Sequence, residues 1–348
     1  MPAPPGFVAD PPAPSPIDMN DAPDHALDDV LRALRLRGGV FEEAEFGEPW
    51  CVLSQVGPED CAEFTPLPRE VIAYHYVCEG TMRLRVEGAA RDIELRAGDL
   101  AILPRNQRHR LGSDLGAPPL PVEQLDHHAG HHGVLRLVHP GQRLGARFFC
   151  GYLGHDNVSD PLLMALPEVL HLRLGDPASA QWVESSLRFA AQPAGAQHGL
   201  TPSVLSRLAE LLFAEAVRQY LAGQPEGGNG WLAGLRDAKV GRALALLHGE
   251  RQRAWTTEEL ARLVGASRSA FAERFTALVG EPPMRYLAQQ RMRLAAERLR
   301  ETDEPIARIA EVAGYESEPA FHRAFKRAFN ESPAAWRRRQ AGATPLVP

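Results

Sequence analysis

Lysine is almost missing from this chain: Lys239 and Lys326 are the only two among 348 residues. Arginine carries the remaining positive charge, and Ala and Gly abound, which reads as a coding bias rather than a functional choice. Cysteine is scarce as well. Cys51, Cys61, Cys78 and Cys150 contain no C-x-x-C pair, so reduced thiols in a cytosolic protein are expected. No apolar run approaches 18 residues, so neither a membrane-spanning helix nor a membrane partner is expected. No apolar stretch follows a basic N-terminal region, so no signal peptide is expected.

What is present is ordinary globular material, 44% hydrophobic and 24% charged, enough for two domains at this length. The formal charge of −6 is unevenly spread. Residues 236–340 carry 20 basic against 14 acidic side chains, and the remainder 18 against 30. An acidic part joined to a basic part points to a polyanion partner for the latter, with plain charge scatter as the alternative.

Residues 1–23 hold eight prolines and little apolar periodicity, and are read as a disordered tail. A helix is expected over 26–37, with Leu27, Val30, Leu31, Leu34 and Leu36 on one face and Gly38-Gly39 as its stop. From Val40 to about Tyr152, short apolar runs alternate with Gly, Pro and Asp/Asn breaks. In TMRLRVE, Met82, Leu84 and Val86 alternate with Arg83, Arg85 and Glu87, the period of a half-buried strand. Many short strands predict a β-sandwich or barrel. Helices are expected over 179–192 and 201–221, the second with Thr201 as N-cap and Pro202 at its first position. Its face of Leu205, Leu208, Leu212 and Ala216, beside Val204 and Leu211, suits packing on the barrel or a dimer contact. The domains are read as 24–222 and 236–339, with a flexible linker at 223–235.

One pattern occurs twice, in TTEELARLVGASRSAFAERFTALVG (256–280) and EPIARIAEVAGYESEPAFHRAFKRAFN (304–330). Ala261 and Gly265 correspond to Ala310 and Gly314, and Phe271 and Phe275 to Phe321 and Phe325. The small Ala suits a close helix crossing, and Gly suits a turn with positive φ. Ser267 and Ser317 can cap the next helix, and each Phe pair lies at i and i+4 on the inward face. Each second helix is then free to enter a major groove. Between the repeats, 282–302 predicts a helix of about 27 Å, able to hold two recognition helices about one DNA turn (~34 Å) apart.

On these residues the segment 236–339 closely resembles the DNA-binding domain of the AraC/XylS family. The resemblance implies seven helices carrying two helix-turn-helix units. By position, the first recognition helix would present Arg268, Ser269, Ala272, Glu273 and Arg274, and the second Glu318, Pro319, His322, Arg323, Lys326 and Arg327. Arg323 matches a base-reading position, where arginine pairs bidentately with guanine. Arg268, Arg274, Lys326 and Arg327 would touch phosphates. Glu273 departs from the family's usual arginine and would read a different base or weaken that unit. Each of these could instead be a solvated surface charge. Arg291 is expected to be an internal salt-bridge partner.

RAGDLAILPRNQRHRL (96–111) resembles the second cupin motif, with Asn106 in place of Gly, and YHYVCEG (74–80) a degenerate first motif that keeps His75 and Glu79. The N-terminal half, including FFCGYL and PLLMALPEVLHL, resembles the cupin-type sensor domain of one AraC subfamily. The fold class is thus α+β, a cupin-like β-barrel with accessory helices plus an all-α double helix-turn-helix domain. His75, His109 and Cys150 form a candidate metal or ligand site, with zinc as the candidate ion, or a neutral histidine pair beside a buried thiol. Cys150 is also the candidate oxidant sensor. In DHHAGHH (126–132), His127, His128, His131 and His132 would pair at i and i+4 if helical, although Gly130 and Gly133 favour a loop. The expected function is a sequence-specific transcription regulator, an activator rather than an enzyme, responding to a small molecule, metal or oxidant. Its implied partners are double-stranded promoter DNA, a second copy, RNA polymerase and an unknown small-molecule effector, in the cytoplasm on the nucleoid. The alternative is a metal-dependent cupin dioxygenase or isomerase with a helical appendage.

Overall fold

The computed structural model describes residues 22–34, 36, 42–57, 68–121, 125–129, 135–141, 143–156, 160–173, 178, 181–183, 185–186, 202–225, 228 and 230–342. The proline-rich residues 1–21, Cys61, His131, His132, Thr201 and most of the helix expected at 179–192 lie outside them.

The first helix, α1 (Ala22–Leu34), starts within the proline-rich stretch and buries Ala26, Leu27, Val30 and Leu34. Among the described residues, eleven strands follow in one curled sheet: β1 (Glu42–Gly47), β2 (Cys51–Ser54), β3 (Glu70–Val86), β4 (Ile93–Arg96), β5 (Asp99–Leu103), β6 (His109–Gly112), β7 (Leu120–Pro121), β8 (Asp126–Ala129), β9 (Leu135–His139), β10 (Leu144–His155) and β11 (Leu170–Arg173). The path runs β7-β2-β6-β3-β10-β1-β9-β8, with β4 and β5 also pairing with β3 and β11 pairing with β5.

The long strand β3 explains the curl. Its first half, Val71–Val77, is buried on both faces: Ile72, Tyr74 and Tyr76 pack outward, Ala73 and Val77 inward. Its second half buries Met82, Leu84 and Val86 and leaves Arg83 exposed and Arg85 half-buried, the period-two alternation read from the sequence. A strand needs apolar residues on both sides only where helices cover the outer face. That cover comes from α1, α2 (Pro161–Ala165) and α3 (Pro202–Ala222), which buries Leu208, Leu212, Phe213, Ala216 and Val217. Packing is therefore the role the buried face of α3 plays, while Leu211 stands 56% exposed on its other side.

After α3 the chain is helical: α4 (Trp231–Arg236), α5 (Ala238–Gly249), α6 (Thr257–Leu263), α7 (Arg268–Val279), α8 (Pro283–Glu301), α9 (Ile306–Val312), α10 (Glu318–Phe329) and α11 (Pro333–Gly342). The seven from α5 onward form the double helix-turn-helix domain. Val240, Leu244 and Leu247 of α5 share one core with Leu27, Val30 and Leu34 of α1, so the helix that precedes the barrel packs on the helix that opens the second domain. The end of β10 is tied to α8 by an ion pair between Asp156 and Arg300.

Candidate nucleic-acid interface and barrel interior

Each helix-turn-helix unit is built from the residues its repeat supplies. In the first, Thr256 caps α6 and Ser267 caps α7 by accepting from the Ala270 amide at 3.3 Å. In the second, Ser317 caps α10 by accepting from Ala320 at 3.4 Å. A cap of this kind is worth about 1 kcal/mol. Gly265 and Gly314 adopt φ +65° and +75° in the two turns, a region costly for any side chain. Ala261 and Ala310 are buried at the crossings. The Phe271–Phe275 rings lie 5.7 Å apart and Phe321–Phe325 5.5 Å apart, all four inaccessible to solvent. Both recognition helices end on a left-handed cap, Gly280 and Asn330.

With the aromatic faces turned inward, the opposite faces are open. On α7, Arg268, Ser269, Glu273 and Arg274 are exposed and Ala272 is half-buried. On α10, Glu318, Pro319, Arg323, Lys326 and Arg327 are exposed and His322 is half-buried. Three of these side chains are engaged within the protein. Arg274 donates from Nε to Asp237 at 2.7 Å and also through Nη2. Asp237 in turn caps α5, accepting from the amides of Lys239 and Val240. Burial works to raise the Asp237 carboxyl, but the bonds from Arg274 and those amides outweigh it and hold its pKa below the usual carboxylate range. Arg274, expected to touch phosphate, thus also clamps α7 to the cap of α5. His322 lies 3.4 Å from Glu318 one turn earlier. Arg323, Lys326 and Arg327 enter no ion pair among the described residues.

Arg291 is internal, as expected, but its partners are carbonyls rather than a carboxylate: Nε donates to Arg251 O and Nη2 to Arg253 O, both at 2.7 Å. The signal that could have found Asp237 is its place before an apolar helical stretch, an N-cap signature; its reach to Arg274, 37 residues on, has no local signal.

Inside the barrel the expected triad comes together only in part. His75 on β3 and His109 on β6 meet with Nε2 atoms 2.9 Å apart, both buried. His109 Nδ1 lies 2.7 Å from Gln107 O. A carbonyl only accepts, so this nitrogen carries the proton and His109 Nε2 offers a lone pair. His75 Nε2 then donates, leaving His75 Nδ1 as a buried acceptor with no partner among the described residues. Burial lowers both imidazole pKa values, that of His75 strongly, with His109 adding to it. Both rings are neutral at pH 7.

Cys150 pairs in register with His75 across β10 and β3, yet its thiol donates to Glu42 Oε2 at 3.4 Å. Among the described residues it joins no group of three ligand atoms with the two histidines. Burial, reinforced by Glu42, raises the thiol pKa well above its ordinary value, the opposite of the accessible thiolate that oxidant sensing uses. Glu79, the other residue of the degenerate first motif, is exposed and ion-paired with Arg147 at 2.9 Å. Two imidazoles fall short of the three or four ligands that zinc takes from protein, so this donor set does not fit a zinc ion. Asn106, standing where the second motif has Gly, adopts φ +45°, a region that Asn tolerates better than most residues. His127 and His128 lie on strand β8 rather than on a helix.

Comparison with known proteins bears on both halves. A cupin family model matches residues 25–222, and a helix-turn-helix domain model matches residues 260–339. A putative AraC-like transcription regulator of Streptomyces antibioticus is 33% identical over 90% of this chain and 98% of its own. The RCS-specific HTH-type transcriptional activator RclR of Escherichia coli is 28% identical over 90% of this chain and 98% of its own. The solved DNA-binding domain of AdpA, in complex with a target DNA, is 30% identical, covering 29% of this chain and 90% of that one, with a TM-score of 0.28.

Proposed function

The chain belongs to the AraC-like transcription regulators, with a cupin domain ahead of its helix-turn-helix domain, and from that premise we propose that it reads a two-part operator with α7 and α10. The observation that carries this reading is the duplication itself. Two units share caps, turn glycines and paired phenylalanines, and both leave the outer face of the second helix to solvent. The helix between them, α8, spans 19 residues, about 28 Å at 1.5 Å per residue, close to one turn of duplex.

Arg323 is the base-reading side chain, Lys326 and Arg327 hold phosphates, and Arg268 does so for the first unit. Activation through RNA polymerase is the favoured sense, because the E. coli relative is named an activator. Chromosomal DNA as ligand places the protein in the cytoplasm, on the nucleoid. Among the described residues, no helix is long and apolar enough to cross a membrane. A second copy is favoured by the groove of about 530 Å³ between α1 and α3, where Leu31 and exposed Leu211 are rimmed by Asp28, Arg32, Arg207 and Glu210. Mixed charge around an apolar strip suits a self-complementary two-fold contact.

The effector site is the barrel interior at His75 and His109, where His75 Nδ1, an acceptor with no partner among the described residues, calls for a ligand with a hydrogen-bond donor. Coupling then requires the effector to favour one arrangement of barrel and reading domain. Those parts meet at α1 on α5 and at Asp156 on Arg300. A cupin enzyme would need a fuller ligand set than these two histidines.

The test is selection of bound duplexes from a random-sequence pool by the full chain. Enrichment of two conserved segments about 10 base pairs apart is expected, since a duplex turn is ~10 base pairs. Enrichment of a single segment, or of none, contradicts two-part reading.

A further inference from the structure

The cores of the two reading units do not merge. Tyr286 and Leu287 of α8 belong to the core that holds Phe271 and Phe275. From Met292 onward the same helix belongs to a separate core with Phe321 and Phe325. Arg291 stands at the break between them. The apolar contacts that fix each unit internally therefore leave the angle between units to α8 and to whatever crosses that break.

The Arg291 guanidinium crosses it. One edge of the fork donates to the carbonyls of Arg251 and Arg253, in the turn between α5 and α6 of the first unit. That turn is itself braced: Trp255 Nε1 donates to Glu250 O at 3.0 Å, and the Arg253 guanidinium lies 4.1 Å over the Trp255 ring. On the other side is the turn of the second unit. A Cβ built on Gly314 would fall 2.9 Å from Arg291 Cζ and Nη2 and 3.0 Å from Nε, so the glycine backbone rests directly against the guanidinium. The end of a free arginine could swing away from such a neighbour, but this one is pinned by two carbonyls. The equivalent turn of the first unit is unlike it, because a Cβ on Gly265 would meet nothing within 4 Å.

We propose that Arg291 is the positioning residue that sets the phase between the two reading helices, and so the operator spacing the protein accepts. A planar fork suits this task, because two donors in fixed geometry define an orientation that a single ammonium does not. The inference rests on two-part reading of DNA. It adds that the spacing between the parts is held by one side chain that touches no DNA.

The experiment uses the full chain and a duplex that the wild type selects from a random-sequence pool, beside the same duplex with one base pair inserted between its two segments. The insertion moves one segment by about 3.4 Å and about 35° around the axis. Wild type should bind the lengthened duplex ~10-fold or more weakly, the scale of a lost base contact. Arg291→Met should cut that penalty to roughly 3-fold or less, because either spacing is then met by a looser pair. Arg285→Met removes the same charge from an exposed site on the same helix and should keep the full penalty. Gly314→Ala should act like Arg291→Met, whereas Gly265→Ala, equally strained in φ, should keep the penalty despite a similar loss of stability. The alanine pair also reads the quantity should the methionine variant not fold. A full penalty in folded Arg291→Met or Gly314→Ala overturns the positioning role. A wild type indifferent to the insertion removes two-part reading, and this role with it.

Discussion

The two helix-turn-helix units are copies in frame and opposites at the surface. Each has a serine cap, a turn glycine with positive φ and an inward phenylalanine pair with an aromatic ring of a later helix beside it. Tyr286 stands 5.9 Å from Phe275, and Trp336 stands 5.8 Å from Phe325. The surfaces diverge. The first unit ties Arg274 to Asp237 and leaves Glu273 exposed, while the second presents Arg323, Lys326 and Arg327. Their cores diverge too: the first is continuous with the outer face of the barrel through α5, α1 and α3, and the second is closed. A frame can thus be kept while its two copies diverge, the first joined to the cupin domain and the second presenting an open basic face.

The largest test of that contrast lies in the cores. Phe275→Ala and Phe325→Ala delete the same side chain and should each cost about 3–5 kcal/mol. Phe325→Ala should melt a local unit and leave amide exchange in the barrel slow. Phe275→Ala should speed exchange in α1 and α5 as well. Equal protection of the barrel in both variants would break the contrast.

Next in size is the surface. Arg323→Ala should cost about 1–3 kcal/mol at one base-pair position and relax specificity there. Arg274→Ala should cost DNA affinity less than about 1 kcal/mol, since an exposed pair already occupies that guanidinium. Binding series on point-substituted duplexes separate the two. A uniform loss across all sequences for Arg323→Ala would remove its base-reading role.

The hydrogen bonds of those two later rings differ in acid sensitivity. The His248 ring donates to or accepts from the Tyr286 hydroxyl at 2.7 Å, whereas Trp336 donates to the carbonyl of Ala296 at 3.3 Å. Burial, with Arg251 and Arg293 adding, lowers the His248 pKa from 6.5 to about 3. The folded state then keeps this ring neutral, while the unfolded chain protonates it below about 6.5. Stability from this site is present above pH ~6.5 and declines as pH falls from there toward 3, by up to roughly 1.4 kcal/mol per pH unit. Chemical denaturation at stepped pH should show a shallower acid decline in His248→Gln. An unchanged slope would show that His248 does not titrate as described.

The smallest effect should come from Glu273→Arg, which restores a cation to the first unit. The dependence of log affinity on log salt should steepen by about one, with a modest gain in affinity. No change in slope would mean that α7 stands clear of the backbone at that point.

The sequence disclosed most where the physics is local. The double unit was legible because Ala261, Gly265, Ser267 and the phenylalanine pair act within one or two helical turns, and all recur, the Ala and Gly 49 residues later and the Ser and phenylalanines 50, the second turn being one residue longer. The barrel was legible through strand alternation and the Asn106 turn. What stayed hidden depends on contacts far apart in sequence. The apolar face of α1 announced a helix but not that α5 would cover it. Arg274 read as a free cation until Asp237 stood beside it. Cys150 was grouped with the histidines by chemistry, and Glu42 claims its thiol instead. A residue type states what a side chain can do, whereas the long-range fold decides which neighbour it does it with.

Hydroxyl-radical cleavage of a selected duplex, bound by the full chain, tests the geometry most directly. Two protected patches on one face of the DNA, centred about one turn (~10 base pairs) apart, are the predicted result. A single patch, or two on opposite faces, would contradict a rigid α8 carrying two readers.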